Sequence, residues 1–255
     1  MLRIMCLCLS VLWGAAAHAN ISLSPYFLEL SDMDSRTGQV RFTNTSQSTK
    51  SYNIGMVNFQ QNKDGTYTNI NEAMPGNPFA NPYLEWAPHQ ATLAPGQSQI
   101  VRVRRRGMAA APDGEYVSHM LIRELPDDAD LYGTYADKSQ GLSINLRPLY
   151  GVSIPVMIEH GRLASDARLG DVRAFKRGGQ PIASVTVSRT GNRSFYGTVV
   201  VSDGRRELGR LAKFRIFMTT PVRVLEIPLT QMPGGDATVT LIDENNDETL
   251  ETKSF

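Results

Sequence analysis

The sequence predicts an all-β chain of two antiparallel β-sandwiches behind a cleaved export signal. Three observations carry this. Apolar and polar residues alternate over short segments instead of recurring at the helical period. Glycine- and proline-built turns punctuate the chain at the spacing of strands. Residues 1–19 stand apart, with one early cation (Arg3), an apolar run and a small-x-small end, Ala17-His18-Ala19.

That apolar run, about a dozen residues, falls short of the roughly 20 needed to span a bilayer core. Residues 1–19 therefore read as a signal peptide cut before Asn20, not as an anchor. Both cysteines, Cys6 and Cys8, lie inside it. The exported chain then has no disulfide and must stand on hydrophobic burial. The whole chain has 26 Lys and Arg against 25 Asp and Glu, and Arg3 goes with the signal, so the exported part is neutral. Such a balance gives no footing for nucleic acid. No later segment is apolar for long enough to cross a membrane. A periplasmic protein without stable membrane insertion is expected.

The first half opens on a strand over 21–30. GQVRFTN (38–44) alternates Val40 and Phe42 with Arg41 and Thr43. Strands follow over 51–59, 84–87 and 97–105, separated by the turns Asn62-Lys63-Asp64-Gly65 and Ala94-Pro95-Gly96. EYVSHMLIREL (115–125) is a strand stopped by Pro126, and 127–140 is a polar loop. Glu159-His160-Gly161 breaks the period and marks a domain boundary. Short strands resume over 169–176, 182–189, 196–202, 208–218, 222–227 and 237–242, with glycine turns between them. The units 20–158 and 162–255 are each near the roughly 100 residues of an immunoglobulin-like sandwich.

Catalytic patterns are missing. His89, His119 and His160 lack metal-ligand spacing to any other ligand. No GxSxG elbow, phosphate loop or dinucleotide fingerprint is present. No metal, cofactor or catalytic residue is assigned, and a non-enzymatic protein is expected. His119 reads as a strand-face residue. Arg102, Arg104, Arg105 and Arg106 form the one basic run. It offers a grip for carboxylate or phosphate, or it is the wet face of a strand whose Val101 and Val103 face the core.

The segment LSINLRPLYGVSIPV (142–156) is different. Leu142, Ile144, Leu146, Pro148, Tyr150, Val152 and Ile154 place apolar groups at every second position. It is far longer than the usual five or six residues of a strand. Pro148 has no N–H to give a ladder and argues for an edge position. An edge strand leaves backbone groups unpaired and invites strand addition.

Several segments in order resemble the periplasmic pilus-assembly chaperones of the PapD-like family: GQVRFTNTS (38–46), APGQSQIVRVR (94–104), MLIRELP (120–126) and the long strand ending in SIPV. The resemblance is weaker in the second half, where GNRSFYG (191–197) is its best segment. It implies two immunoglobulin-like domains, and a protein that binds, folds and caps pilus or fimbrial subunits by donor-strand complementation. Delivery of those subunits to an outer-membrane usher is also implied, with no cofactor. The donor side chains are then Leu142, Ile144, Leu146, Tyr150, Val152 and Ile154. Burying Ile144, Leu146, Tyr150 and Val152 at roughly 1.5–3 kcal/mol each gives about 6–12 kcal/mol before the costs of association. A sticky edge of this kind also offers a route to self-association.

Two departures mark a divergent branch. The family anchors a subunit's terminal carboxylate with two cations, yet 20–30 holds no Lys or Arg and Phe27 stands near the first position. Arg147 is the candidate anchor on the donor strand, with Tyr150 the competing residue at that position. Glu124 matches the acidic member of an interdomain charge network whose arginine is replaced here by Ile154. The competing reading is a two-domain structural pilus subunit or tip adhesin. It calls for a free, alternating N-terminal extension, whereas strand signals begin directly after the cleavage site.

Overall fold

A computed structural model describes residues 20–31, 35–70, 79–126 and 149–255. The signal, the polar loop and the donor positions Leu142, Ile144, Leu146 and Arg147 lie outside the described residues.

The first half contains β1 (Ile21–Ser24), β2 (Leu28–Ser31), β3 (Thr37–Asn44), β4 (Lys50–Gln61), β5 (Tyr67–Ile70), β6 (Leu84–Ala87), β7 (Gln90–Leu93), β8 (Ser98–Arg105), β9 (Gly114–Glu124) and β10 (Gly151–His160). One sheet has the order β1-β3-β8-β6. The other runs β2-β10-β9-β4-β5, with β7 also paired to β4. The second half contains β11 (Ser165–Arg177), β12 (Gln180–Gly191), β13 (Phe195–Asp203), β14 (Arg206–Ile216), β15 (Val222–Pro228), β16 (Ala237–Asp243) and β17 (Glu248–Ser254). Its sheets are β11-β12-β15 and β14-β13-β16-β17.

The strand expected over 21–30 is two strands in different sheets. β1 pairs with β3, and β2 pairs in parallel with β10. Pro25, which cannot donate to a ladder, lies in the crossing between them. The long strand was expected to end at Val156 but continues to His160. Ile158 enters the first core while Met157 is buried on the opposite face with Val117 and Phe217. A strand buried on both faces loses the alternation by which its end is read. β5, β7 and β17 were not expected; they are short or polar.

Alternation builds both cores. Val40 and Phe42 of β3, Val101 and Val103 of β8, Tyr52 and Ile54 of β4 and Met120 and Ile122 of β9 fill the first. The ring of Phe42 meets Tyr52 edge-on at 5.4 Å. Trp86 of one sheet donates its indole N–H to the Ile54 carbonyl of the other at 3.0 Å, tying the layers. Tyr116, near the start of β9, returns its hydroxyl to the Pro112 carbonyl at 2.8 Å, as in the tyrosine corner of immunoglobulin-like sandwiches. The second core gathers Val185, Val187, Phe195, Val199, Leu225 and Val239.

The structure corrects the reading of Glu124 as an interdomain acid. It closes the end of β9 remote from the second sandwich. Its carboxylate pairs with Lys50 at 2.7 Å, both side chains being under 10 % exposed (8 % and 6 %). Burial, with the Glu124 charge second, pushes the Tyr52 phenol up to about 12. The resemblance identified an acid in the right strand but at the wrong end of it.

Removing one partner of a sealed ion pair strands the other charge, at about 3–5 kcal/mol. Lys50→Met is expected to lower the urea unfolding free energy by that amount. Lys50→Met with Glu124→Leu is expected to recover most of the loss.

Candidate functional site

β10 is fully paired on one side and partly bare on the other. Its whole length is antiparallel to β9, from Gly151 opposite Arg123 to His160 opposite Gly114. β2 covers the other side only from Val156 to Glu159. Among the described residues nothing pairs with the outer side of Gly151–Pro155. The Glu124 N–H donates to the Tyr150 carbonyl at 2.9 Å. By the alternation of an antiparallel ladder, Val152 and Ile154 then also turn their backbone groups to β9. Gly151 and Ser153 turn theirs to the bare side. Pro155 offers only a carbonyl there.

Side chains alternate the other way. Ile154, Val156 and Ile158 point into the first core, and Val152 packs half-buried against it. This corrects the assignment of Ile154 as a donor residue: at 3 % exposure it is a core residue of its own sandwich. The apolar period simply continues from the bare segment into the domain's interior. Tyr150 is free by contrast, at 49 % exposure.

The rim is bordered by apolar surface. Leu149 and Tyr150 are exposed where β10 begins, and Tyr26 and Phe27 where β2 starts. Leu28 is level with Val156, so continuing the register puts Phe27 beside Pro155. The exposure of Tyr26 and Phe27 could not be read from sequence, since alternation alone predicts one continuous strand there.

The outer face of this sheet meets the second sandwich. Val117, Met157 and Phe217 form a small apolar cluster between the two. Gln61, at the end of β4, accepts from the Phe217 N–H at 3.1 Å and donates to the Arg215 carbonyl at 3.2 Å. Asn192 donates to the carbonyls of Asp113 and Arg162 at 3.0 and 2.9 Å. Its own carbonyl accepts from the Glu115 N–H. Gly161 has φ +68°, and a Cβ there would strike the Asp113 carboxylate.

Charges line the same joint. Glu159 pairs with Arg193 at 2.7 Å. Glu115 is buried and accepts from the hydroxyl and N–H of Ser194; burial holds its carboxyl above the usual range. Glu29 is raised too, by burial and then by the charge of Glu159, with which it shares a hydrogen bond. Arg215 lies over the rings of Phe27 (5.9 Å) and Tyr196 (5.3 Å) and reaches the Met157 sulfur at 3.0 Å. Glu115 thus occupies the joint where Glu124 was expected.

The basic run splits by strand alternation. Val101 and Val103 are buried and Arg102 and Arg104 exposed. Glu85 takes Arg104 at 2.5 Å and Arg106 at 2.8 Å. The wet-face reading fits this geometry. Among the described residues no cluster of His, Cys, Asp and Glu is placed to hold a metal ion.

No family model matches the chain, and no curated protein matches it. Solved structures match it in fold. The YadV chaperone aligns over 93% of this chain and 100% of its own at 11% identity, with a TM-score of 0.51. A chain from the chaperone–tip adhesin complex of CFA/I fimbriae biogenesis aligns over 92% of this chain and 98% of its own, also at 11% identity, with a TM-score of 0.50. The likeness is one of fold: two immunoglobulin-like sandwiches, as the alternation and turn spacing predict.

Burial alone lowers the His119 imidazole from 6.5 to about 4. The unfolded chain therefore binds that proton more tightly. Stability from a neutral His119 is complete above pH about 6.5 and is lost as pH falls toward about 4, by at most about 3 kcal/mol. The raised carboxyls of Glu29 and Glu115 act in the opposite sense. Unfolding free energies across pH 7 to 4 for the protein and for His119→Phe isolate the imidazole. Wild type is expected to lose stability relative to His119→Phe as pH drops from about 6.5 toward about 4; a pH-independent difference contradicts the assignment.

Proposed function

We propose that this chain is a periplasmic chaperone for pilus or fimbrial subunits, acting through the bare rim of β10. The observation that carries this reading is the run Gly151–Pro155, unpaired on one side among the described residues and bordered by exposed Leu149, Tyr150, Tyr26 and Phe27. Backbone groups fixed in an extended line give an incoming strand affinity and register. Exposed aromatic and aliphatic side chains along the same line give it apolar area to bury.

The reading places the lent segment over 142–152. Leu142, Ile144, Leu146, Tyr150 and Val152 supply alternate apolar groups to a subunit that lacks a strand, and Ile154 anchors the segment in its own core. Arg147, on the polar side of that alternation, is the proposed partner for a terminal carboxylate. Complementation of this kind needs no nucleotide, cofactor or catalytic residue. Subunit-to-subunit strand exchange at an outer-membrane usher would release the cargo. The fold shared with the YadV chaperone supports the reading without assigning the partner.

Ser153→Pro tests it with little harm to the host, because the Ser153 N–H faces away from β9. Co-expressed with a secreted fimbrial subunit from the same genome, the native chain is expected to keep the subunit soluble and co-purify with it. Ser153→Pro is expected to lower the recovered complex by about tenfold or more, the worth of one or two lost hydrogen bonds to a desolvated strand. Undiminished recovery contradicts the rim as the binding element. Finding the chain itself in sheared surface fibres favours the subunit or adhesin reading.

A further inference from the structure

Beside the rim, on the outer face of the same sheet, lies a recess of about 240 Å³ lined by Phe59, Tyr67, His119, Ser153 and Pro155. It is smaller than the roughly 300–1,000 Å³ of small-molecule sites and suits a single large side chain. Its walls are aromatic and mutually edge-on. Phe59 and His119 stand 4.9 Å apart, Tyr67 and His119 5.9 Å, and Phe59 and Tyr67 6.3 Å. Phe217 of the second sandwich closes the cluster, 6.1 Å from His119 and 6.3 Å from Tyr67. His119 is 5 % exposed, and its Nδ1 has no hydrogen-bond partner among the described residues. Tyr67 is half exposed, so the recess has an open mouth.

The recess is continuous with the rim. Ser153 and Pro155 belong to both: their backbones form the bare edge, and their side chains form the floor of the recess nearest to it. Pro155 stands opposite His119, and His119 opposite Val57 of β4, so the floor runs inward across the sheet from the edge. A strand added to the rim sets every second side chain on this outer face. Its nearest such residue lies about 4.5–5.5 Å from its neighbour on β10, with diagonal neighbours at about 7–8 Å still in reach of an aromatic ring. Ser153 is too small to fill the gap between that residue and the rings beyond.

Resting on the proposed rim function, we infer that the recess receives one aromatic side chain of the subunit strand that pairs with Gly151–Pro155, and so fixes the register of that strand. Edge-to-face packing against Phe59, Tyr67 and His119 rewards an aromatic guest over an aliphatic one of similar area. An indole or phenol also brings a hydrogen-bonding group toward an imidazole that lacks a partner. A one-residue slip would turn the guest to the other face and leave the recess empty.

The test uses the full exported chain and capped synthetic peptides of about eleven residues, long enough to span an ordinary strand. They alternate threonine and valine and carry Trp, Leu, Ala or Lys at one position scanned along the peptide. NMR shifts of the Gly151 and Ser153 amides report rim pairing, and those of the His119 and Tyr67 rings report the recess. Trp at one scan position is expected to bind about tenfold or more tighter than Ala, the worth of burying one large apolar side chain, with Leu between them and Lys weakest. In Tyr67→Ala, an exposed-side substitution, the Trp-to-Ala ratio is expected to fall toward one; Phe59→Leu is the second variant.

Rim shifts with equal affinity for Trp and Ala overturn the recess and leave the rim standing. A Trp preference that survives both variants also overturns it. Rim amides that no peptide shifts overturn the rim and the recess together. Rim shifts driven only by the protein's own concentration identify a second copy as the occupant and likewise overturn the assignment.

Discussion

A ten-residue strand flanked by a four-residue one leaves hydrogen-bonding groups without a partner among the described residues, and that mismatch between β10 and β2 organises the rest. It arises where the chain leaves β1 in one sheet, passes Pro25, Tyr26 and Phe27, and enters β2 in the other. Had β2 begun five residues earlier, its register would have carried it alongside all of Gly151–Pro155. The crossing also keeps two aromatic side chains at the end of the bare segment. The unpaired edge and its apolar border thus share one local cause.

The open segment is held out by a firm base. Ile154, Val156 and Ile158 fix β10 to the first core, while Met157 and Glu159 fix its other face to Phe217 and Arg193 of the second sandwich. Both faces of its latter half are therefore buried against protein. The joint is mixed in character: an apolar contact, amide bridges through Gln61 and Asn192, and the buried Glu115–Ser194 contact. On the proposed function, such a base would lower the ordering cost that an incoming strand must offset. The aromatic recess sits where rim and joint meet and draws walls from β4, β5, β9 and β10.

Alternation made most of this architecture legible. Val40 and Phe42, or Val101 and Val103 against Arg102 and Arg104, announce strands with one dry face, and glycine turns announce their ends. The length and alternation of 142–156 raise the expectation of an edge strand; of that segment the structure describes 149–156, where the outer side of Gly151–Pro155 is bare among the described residues. The limits are equally physical. Ile154 has the same period and character as Val152, and only the position of the first core tells them apart. Glu115 and Glu124 are acids at opposite ends of one strand, and which end meets the second sandwich is a tertiary fact. Phe59, Tyr67 and His119 come from three strands and carry no mutual spacing in sequence. Pro25 was the available signal for the β1–β2 crossing.

Amide hydrogen exchange of the free monomeric protein addresses the bare rim directly. The account predicts that the Ile154 amide, bonded within the β10–β9 ladder, is protected at least about a hundredfold more than the Ser153 amide beside it, since a ladder bond must open before exchange while an unpaired edge group need not. Equal, strong protection at Ser153 and Ile154 in the unbound monomer would mean that the edge is already covered, and the account would be wrong.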